Sequence, residues 1–258
     1  MSLAQKHRDR VLAMQAASAP AIGGGLTPST PSRPTPVNSA AAQIRLRFVH
    51  DLRRLKEIKS TEAKIAAKRQ MLPEYISWCD GWLEAGRCTI GRELGQSGAD
   101  DVLPTVMVWS IDTGDWSRAL ELAAHVLRFR IAMPDRYKRD AATLVVEEIA
   151  EAANRAQARS QKFPLSILEQ VEELTAGIDM HDEVQAKLQK AIGVELARLA
   201  GEVDTSADDF VTAATRALEP LRRAQELNPR AGTKTKVGQL EKAIKAALAV
   251  KVQAGTAG

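Results

Sequence analysis

Apolar residues recur at helical spacing along most of this chain, and no useful length of sequence alternates between apolar and polar residues as a strand would. Phe48, Leu52 and Leu55 follow an i, i+4, i+7 spacing, which places one apolar stripe on a long helix predicted over residues 40–71. A short helix over residues 1–17 is predicted to be isolated and to fray. Further helices are predicted near residues 74–87, 98–112, 115–130, 137–159, 164–176, 181–200, 206–227 and 234–250.

Prolines and glycines divide this helical pattern. Five of the eleven prolines fall within residues 18–39, a composition that cannot bury much apolar surface and that predicts a mobile tether. Three glycines predict a loop over residues 88–98. Gly114 suits the left-handed end of one helix, and Asp115 suits the N-cap of the next.

The pattern as a whole predicts an all-α fold of antiparallel helical hairpins with a long basic helix near the N-terminus. Small residues at four-residue spacing in 113–127, and from Ala213 through Ala217 to Leu221, weakly resemble a tetratricopeptide repeat. All four tryptophans lie within residues 73–130, where a core is expected to begin. The predicted segments are an arm and linker over 1–39, a basic helical segment over 40–72, a helical core domain over 73–230 and a C-terminal helix and tail over 231–258.

Charge is distributed unevenly along the chain. The net charge is only +4, yet residues 1–69 hold 13 Lys and Arg against 4 Asp and Glu, which leaves a net of −5 for the rest. A one-signed basic face favours a polyanion such as DNA, although a dimerising helix with a solvated exterior is the alternative. The candidate DNA-binding residues are Arg45, Arg47, Arg53, Arg54, Lys56, Lys59, Lys64, Lys68 and Arg69. The stripe of Phe48, Leu52 and Leu55 is the candidate oligomerisation seam, because an exposed apolar stripe needs a partner.

Residues that could carry catalysis are scattered. None of the four histidines accompanies a nucleophile motif, and Cys79 and Cys88 lack the further ligands of a zinc site, so both are predicted to be core thiols. Paired acids are expected to be solvated or to lie at helix N-termini; they are Asp100-Asp101, Glu147-Glu148, Glu172-Glu173 and Asp208-Asp209. The residues therefore predict no catalytic site, no metal site and no cofactor in this chain.

The lack of long apolar segments and the low number of cysteines predict a protein that is soluble and intracellular. No run of about 18 apolar residues is present, so no membrane span is expected. The N-terminal residues lack the apolar stretch of a signal peptide, and two cysteines cannot form a disulfide framework.

An ordered series of motifs runs through the centre of the chain. It comprises Leu72-Pro73, Trp78, Asp100-Asp101, Met107-x-Trp109, Asp112-Thr113-Gly114-Asp115 and Met133-Pro134, with VEEIAEAA at 146–153 and LTAGIDMHDEVQAKLQKAIG at 174–193. In these motifs, and over roughly residues 40–230, the chain resembles the gpM-type small terminase subunit family of tailed temperate phages with cohesive-ended genomes. The long N-terminal extension and the mildly basic C-terminal end depart from the family pattern and leave open which end contacts DNA.

The resemblance implies a role in viral DNA packaging. A small subunit of this family binds the packaging-initiation site on concatemeric double-stranded phage DNA, assembles as a homo-oligomer, expected to be a ring, and recruits or regulates a large subunit. The large subunit carries the ATPase and the nuclease, so ATP and Mg²⁺ are expected only there, although family descriptions often attach endonuclease activity to the small subunit. The expected location is the host bacterial cytoplasm and not the mature virion. Two alternatives stay open, a helical-repeat protein adaptor and a nuclease in its own right.

Overall fold

The computed structural model describes residues 3–17, 36–88, 101–203 and 208–256, and these residues form helices and connections with no strand. This confirms the all-α prediction. The helices are α1 (Leu3–Ala17), α2 (Pro36–Glu57), α3 (Thr61–Met71), α4 (Ile76–Cys88), α5 (Val102–Thr113), α6 (Trp116–Arg128), α7 (Ala141–Ala158), α8 (Leu165–Leu174), α9 (Asp182–Ala200), α10 (Asp208–Leu227) and α11 (Lys234–Thr256). Residues 18–35 of the tether predicted over 18–39, and residues 89–98 of the loop predicted over 88–98, lie outside the described residues. Residues 36–39 belong to α2 and Cys88 to α4, which corrects the bounds of both predictions. No helix in the described ranges combines the length and the apolar character needed to cross a membrane.

The chain divides into two compact units, Met1–Ala141 and Ala142–Gly258. The division falls inside the core domain that the sequence predicted over 73–230. The first unit holds all four tryptophans and the basic segment, whereas the second is built on α9 and the helices that pack against it.

The prediction of one long helix over residues 40–71 is wrong, because the structure has two helices here. The chain leaves α2 after Glu57 and enters α3 at Thr61. Ser60 has extended backbone angles, φ −68° and ψ 130°, and its side chain accepts a hydrogen bond from the Ala63 backbone N–H at 3.3 Å. A serine at this position satisfies an N–H that the helix start would otherwise leave unpaired, so it starts a new helix rather than continuing the old one.

The apolar stripe of α2 packs inside the first unit. Phe48 is 5% exposed and lies between Tyr75 and Trp109, with ring centroids 6.2 and 6.1 Å away. Leu55 is also buried and Leu52 is half-buried. The expectation that this stripe is exposed and needs a second copy is therefore corrected, since the chain's own aromatic core covers it.

The first helix is not isolated. Ala13 and Ala17 of α1 are fully buried, and α1 packs closely along α4. A Cβ atom placed on Gly81 of α4 would lie 2.4 Å from the Cβ of Ala13, so the contact requires a glycine there. Arg10 also pairs with Asp80 at 3.2 Å. The part of the predicted arm that lies in α1 is thus a packed element of the first unit.

The turn between α5 and α6 is as predicted. Gly114 has φ +79°, in the left-handed region that ends α5, and the Asp115 carboxylate accepts from the Arg118 backbone N–H at 3.3 Å. Almost every residue of α5 is buried, including Trp109 and Met107. This central helix carries the aromatic core against which α2 rests.

The second unit is organised around α9. Asn154 and Gln157 of α7 donate side-chain hydrogen bonds to the carbonyls of Lys187 and Ala191, at 3.0 and 2.9 Å, so α7 and α9 run in the same direction. On α10, Leu221 lies so close to α9 that a Cβ on Gly193 would be 2.6 Å from its Cγ. The small-residue packing expected of α10 is present; the tetratricopeptide resemblance stays a prediction.

Candidate nucleic-acid interface

The two sides of α2 have opposite characters. With 100° of rotation per residue, Phe48 and Leu55 point to the core, while Leu46, Val49 and Arg53 point outward. Leu46 is 75% exposed and Val49 is 42% exposed. The outward stripe thus combines two apolar side chains with a guanidinium group.

Cations line both edges of this outward stripe. By the same rotation, Arg45 and Lys56 lie along one edge of the stripe, and Arg47 and Arg54 lie along the other. All four side chains are exposed. The helix therefore presents an outward surface that is positive on both sides.

Three of the nine predicted DNA-binding residues make contacts within the first unit. Arg47 pairs with Glu74 at 2.5 Å, and Lys68 pairs with Asp112 at 2.5 Å. Arg69 donates to the Thr113 carbonyl at 3.3 Å. These contacts join α2 and α3 to other parts of the first unit, and the carboxylates of Glu74 and Asp112 offset the charges of Arg47 and Lys68.

The other six predicted residues make no ion pair within the described part of the chain. They are Arg45, Arg53, Arg54, Lys56, Lys59 and Lys64. Lys64 is half-buried and the remaining five are exposed. The structure thus brings together a group of unpaired cations, called here the basic face, along α2, the break after it and the start of α3.

One of the two acidic residues of α2 is withdrawn from this surface. Asp51 is only 9% exposed and accepts a hydrogen bond from the Tyr75 hydroxyl at 2.7 Å. Burial, together with this hydrogen bond and the negative charge of Asp51, raises the pKa of Tyr75 above its usual value, so the hydroxyl keeps its proton. The Asp51 carboxylate therefore accepts from within the core, whereas the other acid of α2, Glu57, stays exposed at the end of the helix.

Sequence reasoning missed a second basic element, the connection between α6 and α7. The guanidinium carbon of Arg136 lies 5.4 Å from the centroid of the Phe48 ring, and Arg136 also donates to the Thr105 hydroxyl. Arg130 and Lys138 on the same connection are exposed and make no ion pair in the described ranges. The signal was present in the sequence as five Lys and Arg within residues 128–139.

The paired acids considered for catalysis lie at helix starts or in contacts between helices. Asp101 directly precedes α5, and its carbonyl accepts from the Thr105 hydroxyl at 2.5 Å; Asp100 lies outside the described residues. Asp208 and Asp209 lie in the first turn of α10, as predicted. Glu147 was expected to be solvated but is buried, with its carboxylate 2.7 Å from the Lys187 ammonium group, since α9 packs over it.

The structure also gives the environments of His125 and of the two cysteines. Burial lowers the pKa of His125 to about 4, with a smaller effect of Arg128, so this imidazole is neutral near pH 7. Cys79 is a core thiol as predicted, but Cys88 is exposed at the end of α4, which corrects the prediction for it. Within the ranges that the structure describes, no three His, Cys, Asp or Glu side chains are grouped so as to hold a metal ion.

Comparison with known proteins identifies relatives over most of the chain. Residues 45–183 match the phage small terminase subunit family. The terminase, endonuclease subunit of Escherichia phage P2 is 36% identical over 224 residues, which cover 87% of this chain and 82% of that protein. The probable terminase, endonuclease subunit of Haemophilus phage HP1 (strain HP1c1) is 22% identical over 198 residues, or 76% of this chain and 67% of that protein. No solved structure matches the chain significantly. With more than half of its length matched by the family and a relative of this identity, the chain belongs to the phage small terminase subunit family.

Proposed function

We propose that this chain is the DNA-recognition subunit of a phage terminase, and that its basic face binds double-stranded phage DNA at the packaging-initiation site. Family membership supports a role in phage DNA packaging. The observation that carries the finer proposal is the set of six cations on α2 and α3 that make no ion pair in the described part of the chain. A carboxylate partner would have to be displaced before a phosphate could bind, and none of these six cations is paired with one among the described residues.

The expected affinity follows from counterion release. Each phosphate neutralised by Lys or Arg releases condensed cations, and the logarithm of the binding constant falls with the logarithm of salt concentration by about 0.9 per contact. Six contacts in one subunit would give a slope of about −5. Such binding is largely independent of sequence and weakens steeply as salt rises.

A single subunit with few contacts would hold one site weakly, which supports assembly into a closed homo-oligomer, a ring. Several copies on one scaffold raise the effective concentration of the second and later basic faces. Head-to-tail interfaces that close produce such a ring. Because Phe48 and Leu55 are buried within the subunit, the seam lies elsewhere, and replacing these two residues would unfold the first unit rather than separate the copies.

Recruitment of the large subunit completes the proposal. The ATPase motor, with its ATP and Mg²⁺, belongs to that partner, and the complex acts in the host cytoplasm without entering the mature virion. Light scattering of the purified chain at several concentrations tests the oligomer. A mass equal to one subunit throughout the micromolar range would refute the ring.

The DNA proposal is tested by measuring affinity across a series of salt concentrations. Replacing Arg53, Arg54, Lys56 and Lys59 with Ala is expected to weaken binding to every duplex and to reduce the slope by about 3 to 4. The matched control is Lys242→Ala with Lys245→Ala on α11, two exposed lysines that make no ion pair in the described residues. A loss confined to the α11 variant would move DNA binding to the C-terminal helix, and no salt dependence in either would favour a protein adaptor.

A nuclease activity in this chain is the second candidate, because both relatives bear the name endonuclease subunit. The proposal here is non-catalytic: the purified chain alone is expected neither to hydrolyse ATP nor to cut DNA. Metal-dependent cleavage by the purified protein that is abolished by Asp101→Ala would establish the nuclease and overturn this assignment.

A further inference from the structure

The outward stripe of α2 contains two apolar residues that stay exposed. Leu46 is 75% exposed and lies opposite the buried Phe48, and Val49, about 100° around the helix from Phe48, is 42% exposed. The exposed side of a helix on a globular protein is ordinarily polar, so large apolar side chains at its centre mark a contact surface. Arg53 follows on the same stripe and makes no ion pair in the described part of the chain.

The edges of this stripe fit a particular partner. Arg45 and Lys56 on one edge, and Arg54 on the other, are exposed cations without an ion pair in the described ranges. An α-helix with its side chains is about 10–12 Å across, and the major groove of B-DNA is about 12 Å wide with a phosphate strand along each border. Cations on both edges match that cross-section, and the middle holds Leu46, Val49 and Arg53 beside the exposed His50 and Glu57.

We propose that α2 enters the major groove and reads base edges there, an inference that rests on the DNA binding proposed above. Leu46 and Val49 contact the C5-methyl groups of thymine, and the Arg53 guanidinium donates two hydrogen bonds to O6 and N7 of guanine. Arg45, Lys56 and Arg54 contact the bordering phosphates and set the register of the helix. The preferred sites therefore combine thymine and guanine within one stretch of groove.

Charge favours DNA over a protein as the occupant of this stripe. A second copy docking through the same face would bring like charges together, because Arg45, Arg54 and Lys56 would face their own counterparts. The negative charge of Asp51 is turned into the core toward Tyr75 and does not offset these cations. Phosphates on both borders of a groove meet cations on both edges of the helix.

The test starts from a pool of duplexes with randomised centres, from which the wild-type protein selects its preferred sequence. The selected duplex is then made with deoxyuridine in place of each thymidine in turn, which removes one methyl group and leaves base pairing intact. Wild-type affinity is expected to fall about fourfold at a contacted thymine, the value of one buried methylene-sized group. For Leu46→Ala the effect is expected to disappear at the thymine that Leu46 contacts, because the side chain that met the methyl group is gone, and to persist at a thymine that Val49 contacts.

Two further variants separate base reading from phosphate binding. Arg53→Lys keeps the charge but loses the two-pronged donor geometry, so discrimination for guanine is expected to fall about tenfold while the salt slope stays unchanged. Arg54→Ala is the matched edge control and is expected to weaken all sequences alike and to lower the slope by about one. All these side chains are exposed, and circular dichroism melting curves identify any variant that fails to fold.

The possible failures are distinguishable. Absence of any salt-dependent binding to duplex DNA overturns the proposed function itself. Salt-dependent binding that selects no sequence, or a uracil effect that is equal in wild type and Leu46→Ala at every thymine, leaves the proposed function standing and overturns the groove-reading role. A Leu46→Ala variant that binds DNA normally but has a lower assembled mass assigns the stripe to a second copy and also overturns it.

Discussion

Residues 45–69 and the helix pair α9–α10 are both rich in Lys and Arg, but they use these side chains differently. All six cations of α9 and α10 contact a carboxylate or a carbonyl; they are Lys187, Lys190, Arg198, Arg216, Arg222 and Arg223. In residues 45–69, three of the nine have such a partner within the ranges that the structure describes. The second region uses its charge to hold helices together, whereas the first leaves most of its charge available to a partner.

The difference is one of partners rather than composition. Over residues 163–186 the second unit has six Asp and Glu and no Lys or Arg, and the neighbouring cations find partners among such residues, as Arg216 does with Glu169 at 2.7 Å. The basic stretch has three acids, and Asp51 among them is buried under Tyr75. An exposed ion pair contributes at most about 1 kcal/mol, so a chain can leave such cations unpaired at little cost to stability.

The largest predicted effect tests the paired region directly. Glu195 is 1% exposed, and its carboxylate lies 2.6 Å from the Arg198 guanidinium. Arg198→Ala leaves a buried carboxylate without its cation and is expected to lower the free energy of unfolding by about 3 kcal/mol. Arg53→Ala, the matched change in the basic face, is expected to alter it by less than about 0.5 kcal/mol. Urea denaturation measures both, and equal losses would erase the distinction between the regions.

His125 gives a third arrangement, in which a titratable group is kept uncharged. Its imidazole packs against Phe129, with ring centroids 4.6 Å apart, and burial lowers its pKa to about 4, whereas an unfolded histidine has a pKa near 6.5. The unfolded chain therefore binds this proton first, and stability is expected to fall as pH drops from 6.5 toward 4, by about 1 kcal/mol per pH unit.

His125→Leu isolates this effect from the titration of the acids. The variant replaces an imidazole whose Nε2 has no hydrogen-bond partner among the described residues by an apolar group, so it is expected to be about as stable as wild type at pH 7.5. The difference between the two proteins should grow as the pH is lowered. Parallel stability curves from pH 7 to pH 4 would contradict the neutral, buried histidine.

A smaller effect is predicted for the acid withdrawn from the basic face. Tyr75→Phe removes the hydroxyl that donates to Asp51 and leaves the carboxylate partly buried without that donor. A loss of about 1.5 kcal/mol is expected. Asp51→Asn in the Tyr75→Phe background should recover part of the loss, because a neutral amide is less costly to bury. Urea denaturation of the three variants checks this, and an unchanged midpoint for Tyr75→Phe would show that Asp51 finds its partner elsewhere.

The sequence predicted those features that short-range chemistry decides. The all-α class and the start of α6 at the Asp115 cap follow from residues within a few positions of each other. The break before α3 was equally local, since Ser60 precedes the acidic first turn, but the uninterrupted helical pattern concealed it. The covering of Phe48 by Trp109, 61 residues later, is a tertiary contact that periodicity cannot supply. Ion pairing also depends on tertiary contacts, so the nine candidate cations could be predicted from the sequence, but which of them are paired could not.

The smallest predicted effect concerns Lys64, where the stability of α3 and the affinity for DNA are expected to change in opposite directions. Lys64 is the fourth residue of α3, where the positive end of the helix dipole makes a cation unfavourable and an anion favourable. Lys64→Glu is therefore expected to raise the free energy of unfolding by about 0.5 kcal/mol, while DNA affinity falls and the salt slope drops by about one. Lys64→Gln, which removes the charge without reversing it, should give an intermediate stability and the same loss of slope. Thermal melting and salt-dependent binding on the same samples provide the two readouts. A stabilised Lys64→Glu variant with unchanged DNA affinity would remove this residue from the interface. Higher stability together with lower DNA affinity would indicate that the lysine favours DNA binding although it destabilises the helix.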